Sequence, residues 1–109
     1  MTRIKFIYNN NIIIGFNMKG HAEFNLDGPD ILCASLSTAS QMTINGIIDW
    51  TGLDENDVVI HEDKVLGELE VMIPRPHHNS ITVQQLLKSF VLFVEQLEEQ
   101  YCKNVKIER

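Results

Sequence analysis

The sequence predicts an α+β fold in which two helices pack on a mostly antiparallel sheet. Three observations indicate this: β-rich segments occur in two pairs, a short turn connects each pair, and one long helical segment follows each pair. The predicted order of elements is therefore ββαββα, with "NVKIER" as a possible short C-terminal strand. A chain of 109 residues that is 44% apolar has enough material for one core, so we expect a single domain over residues 1–109.

Each pair of strands has its own signature. The segments "TRIKFIY" and "NIIIGFNM" are rich in β-branched and aromatic residues, and the Asn-rich stretch from Asn9 to Asn11 between them predicts a hairpin turn. In "NDVVIHEDKVLGELEVMIP", apolar residues alternate with glutamates, which is typical of a hairpin with one solvated face. The apolar positions of that alternation are Leu69, Val71 and Ile73, and Pro74 and Pro76 end the second pair.

Both helices have predicted boundaries. Asp30 is a favourable N-cap, so the first helix is expected from about Ile31 to Trp50, with Gly52 as its C-terminal stop. For the last helix, Thr82 with Gln85 resembles a capping box and Ile81 with Leu86 a hydrophobic staple, and the helix is expected to reach about Lys103. Its predicted apolar face consists of Leu86, Leu87, Phe90, Val94, Leu97 and Tyr101.

The first helix has an unusual composition, because the 18 positions from Ile31 to Ile48 contain no charged residue. A membrane span is excluded, since Ser, Thr, Gln and Asn occupy seven of these positions. One stripe is expected to face the sheet: Leu32, Leu36, Ala39, Thr43, Ile47 and Trp50. Other residues are expected outside it: Cys33, Ser37, Ser40, Ile44 and Ile48, with Ala34, Thr38 and Asn45 further round. This outer surface either lines a site or is covered by a second subunit, and small side chains favour a homodimer.

Charge and cysteine content narrow the functional classes. Nine Lys and Arg against fifteen Asp and Glu give a net charge of −6, which argues against nucleic-acid binding and suits a basic polypeptide partner. The N-terminus lacks the apolar segment of a signal peptide, so we expect a cytoplasmic protein with free thiols at Cys33 and Cys102. The sequence has no C-x-x-C pair, and neighbouring His77 and His78 would point to opposite sides of an extended segment. No metal or other cofactor is therefore expected.

His21 and Cys33 are the candidate reactive pair, 12 positions apart. One continuous helix would separate them by about 18 Å, but the break at Gly28-Pro29 allows the intervening segment to double back. A thiol with a pKa of about 8.5 is only about 3% thiolate at neutral pH. A helix N-terminus favours the anion by about 0.3–1 kcal/mol, too little alone, so catalysis requires the histidine. Alternatively, Cys33 is a small core residue near a strand-end histidine.

The motif around this pair resembles that of a known family. "GHA" at 20–22, followed by "DILCASLS" at 30–37, is similar to the signature of the ribosomal-processing cysteine proteases, the Prp family. That signature is G-H-A or G-H-S, a variable loop, and then D-I-V-C-A-A-V-S. The resemblance implies a homodimeric bacterial thiol endopeptidase that removes the N-terminal extension of a large-subunit ribosomal protein precursor. Cleavage in the family follows an aromatic residue in a short apolar motif.

The resemblance also assigns roles to residues. It implies Cys33 as the nucleophile and His21 as the base, with Asp30 and Ser37 at the other two prominent positions of the motif. Asp30 would cap the helix, orient the histidine, or do both, and Ser37 either reaches the site or packs in the helix. The chain departs from the signature near the nucleophile and just before the motif, at Leu32, Ser35, Leu36 and Pro29.

The segment "AEFNLDGP", Ala22–Pro29, connects the proposed base to the proposed nucleophile. It is either a substrate-access loop that moves over the site or a plain surface connection. Its residues have distinct tendencies: Glu23 begins a polar stretch, Phe24 and Leu26 offer apolar contacts, Asn25 and Asp27 favour turns, Gly28 is flexible and Pro29 is stiff.

Two other functions remain open from the sequence. One is a non-catalytic dimeric protein that binds a basic ribosomal protein tail during ribosome assembly, which would require neither His21 nor Cys33. The other is a thiol redox sensor, which requires a resolving cysteine. Cys102 is the sole candidate for that role, and nothing in the sequence places it close to Cys33.

Overall fold

The computed structural model describes residues 1–20 and 31–109. Within these residues the chain forms, in order, β1 (Thr2–Asn9), β2 (Ile12–Lys19), α1 (Ile31–Thr51), α2 (Glu55–Val58), β3 (Val59–Asp63), β4 (Glu68–Met72), a 3₁₀ turn (Arg75–His77), α3 (Ile81–Gln100) and β5 (Val105–Glu108). The α+β class, the order of the main elements and the C-terminal strand are as the sequence predicts. The short helix α2 and the 3₁₀ turn were not predicted.

The described strands form one sheet in the order β3-β4-β2-β1-β5. Neighbouring strands are antiparallel except β1 and β5, which pair in parallel after the chain crosses over through α3. The first hairpin turns at Asn10 and Asn11, whose φ angles of 52° and 70° match the two left-handed positions of a type I′ turn. Asparagine tolerates this conformation better than most residues, which is why the Asn-rich stretch predicted the turn correctly.

One face of the sheet is buried and the other is exposed, and the alternation in β1 shows this directly. Ile4 and Phe6 are buried, whereas Arg3 and Lys5 between them are exposed. The buried face, α1 and α3 form one hydrophobic core. At its centre the Phe90 ring of α3 packs 4.8 Å from Phe16 and 5.8 Å from Phe6, measured between ring centroids. Tilted aromatic contacts of this kind add to the stabilisation from burial alone.

Helix α1 begins and ends close to the predicted residues. It ends at Thr51, and Gly52 follows at φ 76° with its N–H donating to the Ile48 carbonyl, which is a glycine C-terminal stop as predicted. By length and composition alone α1 is apolar enough to cross a bilayer, with a mean hydropathy of 1.2. Its buried residues nevertheless belong to the same core as the sheet, which a helix that crossed a bilayer would have to leave.

The predicted stripe of α1 is only partly right. Four of its members are buried: Leu32, Leu36, Thr43 and Ile47. Trp50, however, is 62% exposed, so its prediction is wrong. Ser40 and Ile44 were expected outside the stripe, but they are only 3% and 1% exposed. The reason is that α1 contacts α3 as well as the sheet, so its buried sector is wider than one stripe would require.

The predicted start of α3 is also wrong. The N-cap is Ser80, whose hydroxyl accepts a hydrogen bond from the Val83 N–H at 3.2 Å, so Thr82 lies inside the helix. Ile81 is 87% exposed, which is inconsistent with a staple against Leu86. The helix ends at Gln100, because the following Tyr101 leaves helical geometry and its carbonyl accepts the N–H groups of the turn into β5.

A side chain of α3 also completes the sheet. The Gln84 side chain accepts the Ile13 N–H at 3.0 Å and donates to the Ile13 carbonyl at 2.8 Å. β4 pairs only with residues 15–19 of β2, so Gln84 serves Ile13 as a strand partner would. This contact fixes α3 against the beginning of β2.

Candidate active site

The N-terminal part of α1 lies beside a cleft with a volume of about 920 Å³. Cys33, the third residue of α1, is half-buried and lines this cleft. The buried side chains of Met18 and Leu36 also line it, so the thiol sits between an apolar base and open solvent. A half-buried thiol at an accessible cleft is suited to attack on a bound substrate.

Four α1 side chains at intervals of four residues line one wall of the cleft: Cys33, Ser37, Gln41 and Asn45. Residues spaced in this way are neighbours along one side of a helix, so the cleft follows α1 for about three turns. The structure thus brings Ser37 to the same cleft as Cys33, one helical turn away. It is exposed, which favours the site over packing within the helix for this side chain.

A second wall comes from the turn between β3 and β4 and the strand ends beside it, which sequence reasoning did not assign to the site. Its lining residues are Glu62, Asp63, Lys64, Gly67, Glu68 and Leu69. The Asp63 carboxylate holds this turn, because its Oδ1 accepts the N–H groups of Val65 and Leu66, each at 3.0 Å. Across the hairpin, His61 Nε2 lies 3.3 Å from Glu68 Oε2. The wall is therefore ordered by local hydrogen bonds and carries more acidic than basic groups.

Gly20 is bonded to the β3–β4 turn, and its conformation explains the glycine of the "GHA" motif. Its N–H donates to the Gly67 carbonyl at 3.0 Å, which ties the end of β2 to the β3–β4 turn. Its φ is 89°, and a Cβ added there would lie 2.6 Å from the Met1 carbonyl oxygen. Any other residue would be strained by both effects. Gly20 also lines the cleft, so the last described residue before the 21–30 segment lies at the same cleft as Cys33.

Several predicted site residues lie outside the described residues. They are the predicted base His21, the predicted supporting residue Asp30 and the predicted access loop Ala22–Pro29.

The second cysteine is not brought to this cleft. Cys102 is exposed after the end of α3 and lines a separate surface depression, beside Glu98 and Arg109. The structure therefore gives no support to the redox-sensor hypothesis, which requires the two thiols to lie close together. Within residues 1–20 and 31–109, no group of three or more His, Cys, Asp or Glu side chains is arranged to hold a metal ion.

Sequence reasoning missed three parts of the site: Gly20, the Gln41–Asn45 continuation of the wall, and the β3–β4 turn. The sequence does indicate the Gln41–Asn45 part, because these two residues continue the four-residue spacing of Cys33 and Ser37. The other two depend on the φ of one glycine and on the tertiary arrangement that brings the β3–β4 turn to the same cleft as α1, which residue spacing does not encode.

Comparison with known proteins agrees with this architecture. A Staphylococcus aureus ribosomal processing protease, Prp, in complex with a covalently linked product peptide has a similar fold, with a TM-score of 0.86. It is 23% identical, and the match covers 99% of this chain and 98% of that chain. SMU.848 from Streptococcus mutans gives a TM-score of 0.84 at 24% identity, covering 99% of this chain and 92% of that one. These identities establish likeness of fold.

Sequence comparison goes further. No match was found among curated proteins. The family profile described as cysteine protease Prp, however, matches residues 1–106, which is nearly the entire chain. Because that match includes the cleft, the Cys33 helix and the sheet, this protein belongs to the Prp family and is a cysteine protease.

Proposed function

We propose that this protein removes the N-terminal extension of a large-subunit ribosomal protein precursor, with Cys33 as the nucleophile and His21 as the general base. The observation that carries the proposal is the position of Cys33, half-buried in the first turn of α1 at the 920 Å³ cleft. The similar S. aureus protein is a ribosomal processing protease, and one of its structures holds a substrate peptide. The proposed substrate places the activity in the cytoplasm.

The proposed chemistry follows from the helix position. His21 removes the proton from Cys33 Sγ, and the thiolate attacks the scissile carbonyl carbon. The positive end of the α1 dipole lies beside Cys33, so it is suited to stabilise the oxyanion that forms. Protonated His21 then gives its proton to the leaving amine. Water, deprotonated by the same histidine, hydrolyses the thioester and releases the acyl product.

His21 is proposed as the base because of its position in the chain. His21 follows Gly20 directly in the chain, and Gly20 lines the cleft and is fixed by its hydrogen bond to Gly67. In this proposal Asp30 caps α1, orients His21, or both. Ser37 lies one helical turn after the nucleophile, and in this proposal its hydroxyl makes a polar contact with the substrate.

Residues 22–29 form the substrate-access loop in this proposal. The segment joins the two reactive residues, so a peptide that reaches both has to pass it. Hydrogen exchange of the Cys33→Ala variant tests this: exchange in 22–29 is expected to slow when a substrate peptide binds. Equal protection with and without peptide would show that the segment is a plain connection.

The homodimer is a further part of the proposal. A second depression, an apolar groove of about 630 Å³, lies between α1 and α3 and is lined by side chains that include Ile31, Met42, Leu86 and Phe93. A second copy of this chain suits this groove, because the α1 side of it carries no charge that would have to be desolvated. Met42 lines both the groove and the cleft, so the second subunit would sit beside the active site.

The decisive experiment is incubation with the N-terminally extended ribosomal protein from the same organism, followed by mass spectrometry. Cys33→Ala is expected to abolish cleavage and to leave the fold intact, because a methyl group replaces the half-buried thiol. Cys102→Ser is the matched control and should cleave normally, since Cys102 lies outside the cleft. Substantial cleavage by Cys33→Ala would rule out this nucleophile. Stable binding of the precursor without cleavage by the unmodified protein would favour the binding-protein alternative.

A further inference from the structure

The cleft extends beyond the reactive thiol along α1, to an amide pair formed by Gln41 and Asn45. Both side chains are exposed, and both line the cleft. Gln41 Nε2 donates a hydrogen bond of 2.8 Å to Asn45 Oδ1, which orders the pair without burying it. These two residues therefore present a fixed polar surface in a part of the cleft that the proposed chemistry does not use.

The groups left over on this pair are complementary to a peptide unit. Once one amide donates to the other, the carbonyl group of the donor and the amino group of the acceptor remain unused. A backbone peptide unit offers one N–H and one C=O, so it can satisfy both. Exchange of the two amide orientations does not alter this match, because a hydrogen-bonded Gln–Asn pair always leaves one carbonyl group and one amino group unused.

The distance to the nucleophile fits an extended substrate. Gln41 and Asn45 lie eight and twelve residues after Cys33, which corresponds to about 12 and 18 Å along the axis of α1. An extended peptide advances about 3.3 Å per residue, so the pair lies about four to six residues from the scissile bond. The β3–β4 turn forms the other wall, and it gives a peptide in this part of the cleft a second side to contact.

We propose that the Gln41–Asn45 pair binds the substrate backbone about four to six residues from the scissile bond and thereby positions the peptide for attack by Cys33. The pair consists of positioning residues, since it does not touch the reacting atoms. This inference rests on the proposed function only in taking a peptide to occupy the cleft. It implies that the protease requires a substrate segment longer than the residues next to the cut.

The test compares substrates of different length. Gln41→Ala/Asn45→Ala is expected to raise KM about three- to tenfold for a long precursor peptide, because both solvent-exposed hydrogen bonds to the peptide unit are lost, with kcat little changed. For a peptide that extends about three residues on either side of the cut, too short to reach the pair, KM should be unaffected. A general structural defect would instead affect both substrates. Equal effects on long and short peptides would overturn the proposal, as would no effect on either.

Two control variants separate this chemistry from nonspecific changes. Gln85→Ala removes an exposed glutamine from α3 that lines neither the cleft nor the groove, and it should leave KM unchanged. The exchanged pair, Gln41→Asn/Asn45→Gln, keeps one acceptor and one donor at the same place and should largely retain the KM for the long peptide. Alanine is favourable in an exposed helix, so the double alanine variant is expected to fold.

A binding measurement distinguishes failure of this inference from failure of the proposed function. Fluorescence anisotropy of the labelled long peptide is measured with Cys33→Ala, and with Cys33→Ala that also carries the double alanine change. The triple variant should bind about three- to tenfold more weakly. If Cys33→Ala still cleaves the precursor while the triple variant binds weakly, only the assignment of the nucleophile fails. Equal affinity of the two variants would overturn the positioning role, whatever the nucleophile.

Discussion

Helices α1 and α3 are nearly equal in length, 21 and 20 residues, and pack side by side on the same core, yet their outer surfaces differ. The exposed positions of α3 carry charges such as Lys88, Glu95 and Glu99, as expected for a solvated helix. In α1 no charge occurs from Ile31 to Ile48, although many of these positions are exposed. Where α1 lacks charge, it borders the cleft on one side and the groove on the other. We therefore attribute the composition of α3 to hydration and that of α1 to the two depressions that it borders.

The largest expected effect tests the inner sides of the two helices, where they should behave alike. Ile44→Lys in α1 and Val94→Lys in α3 each place a charge where the native side chain is at most 1% exposed. Each is expected to cost more than about 3 kcal/mol of the free energy of unfolding, because an unpaired charge is buried. Chemical denaturation measures this loss. If Ile44→Lys were as stable as the unmodified protein, the placement of α1 on the core would be wrong.

The next prediction tests the outer sides, where the helices should differ. Met42 in α1 and Leu92 in α3 are 71% and 59% exposed, but Met42 lines the groove and Leu92 does not. Met42→Glu should weaken self-association at least about tenfold, because a charge in an interface has to be desolvated. Leu92→Glu should leave it unchanged.

Sedimentation of the two variants at micromolar concentration measures this difference. If the unmodified protein were monomeric under the same conditions, the proposed dimer would be ruled out. Equal effects of the two substitutions would instead show that the interface does not lie at the groove.

A smaller effect is expected from a pair of matched serines. Ser37 in α1 and Ser89 in α3 are both exposed, but Ser37 lines the cleft with Cys33, whereas Ser89 lines the groove, where an alanine adds no charge to the proposed interface. Ser37→Ala should lower kcat/KM about tenfold, the loss of one polar contact to the substrate, whereas Ser89→Ala should have no effect. Steady-state cleavage of the precursor peptide decides between them, and full activity of Ser37→Ala would assign Ser37 to packing in the helix.

The sequence predicted these helices unevenly, and the reasons are physical. The beginning of α1 and its glycine stop are local features, so they were predicted to within one residue. The α3 cap was misplaced because Ser80 and Thr82 are both competent N-cap residues two positions apart, and local chemistry does not distinguish them. Ile44 was assigned to the wrong side, since the width of the buried sector depends on the contact of α1 with α3.

The sequence predicted the site residues that share one helix, but not those that come from other elements of the fold. Cys33 and Ser37 share one helix, so their spacing alone placed them on one side. The β3–β4 turn joins the site through the Gly20–Gly67 hydrogen bond, which depends on the register of β2 with β4. A shift of that register by one residue would turn its side chains to the opposite face, and residue spacing within one segment carries no information about register.

The smallest expected effect concerns the end of α3, which side-chain contacts hold against β5. Glu98 accepts the Ile107 N–H of β5 at 2.7 Å, and its carboxylate also lies 3.2 Å from the Arg109 guanidinium. The Ile107 hydrogen bond above all, with Arg109 and Lys106 contributing, holds the pKa of Glu98 below its ordinary value of 4.5. A carboxyl group whose pKa is lowered in the folded state stabilises the fold above the unfolded pKa, and this contribution is lost as the pH falls through the folded value.

Glu98→Gln keeps an acceptor for Ile107 but removes the charge, so it should lower the melting temperature slightly at pH 7, and the difference should vanish well below pH 4.5. Glu95→Gln, an exposed change on the same helix, is the matched control. Thermal unfolding across that pH range measures both variants, and a difference for Glu98→Gln that persists in acid would mean that shape, rather than charge, holds β5 against α3.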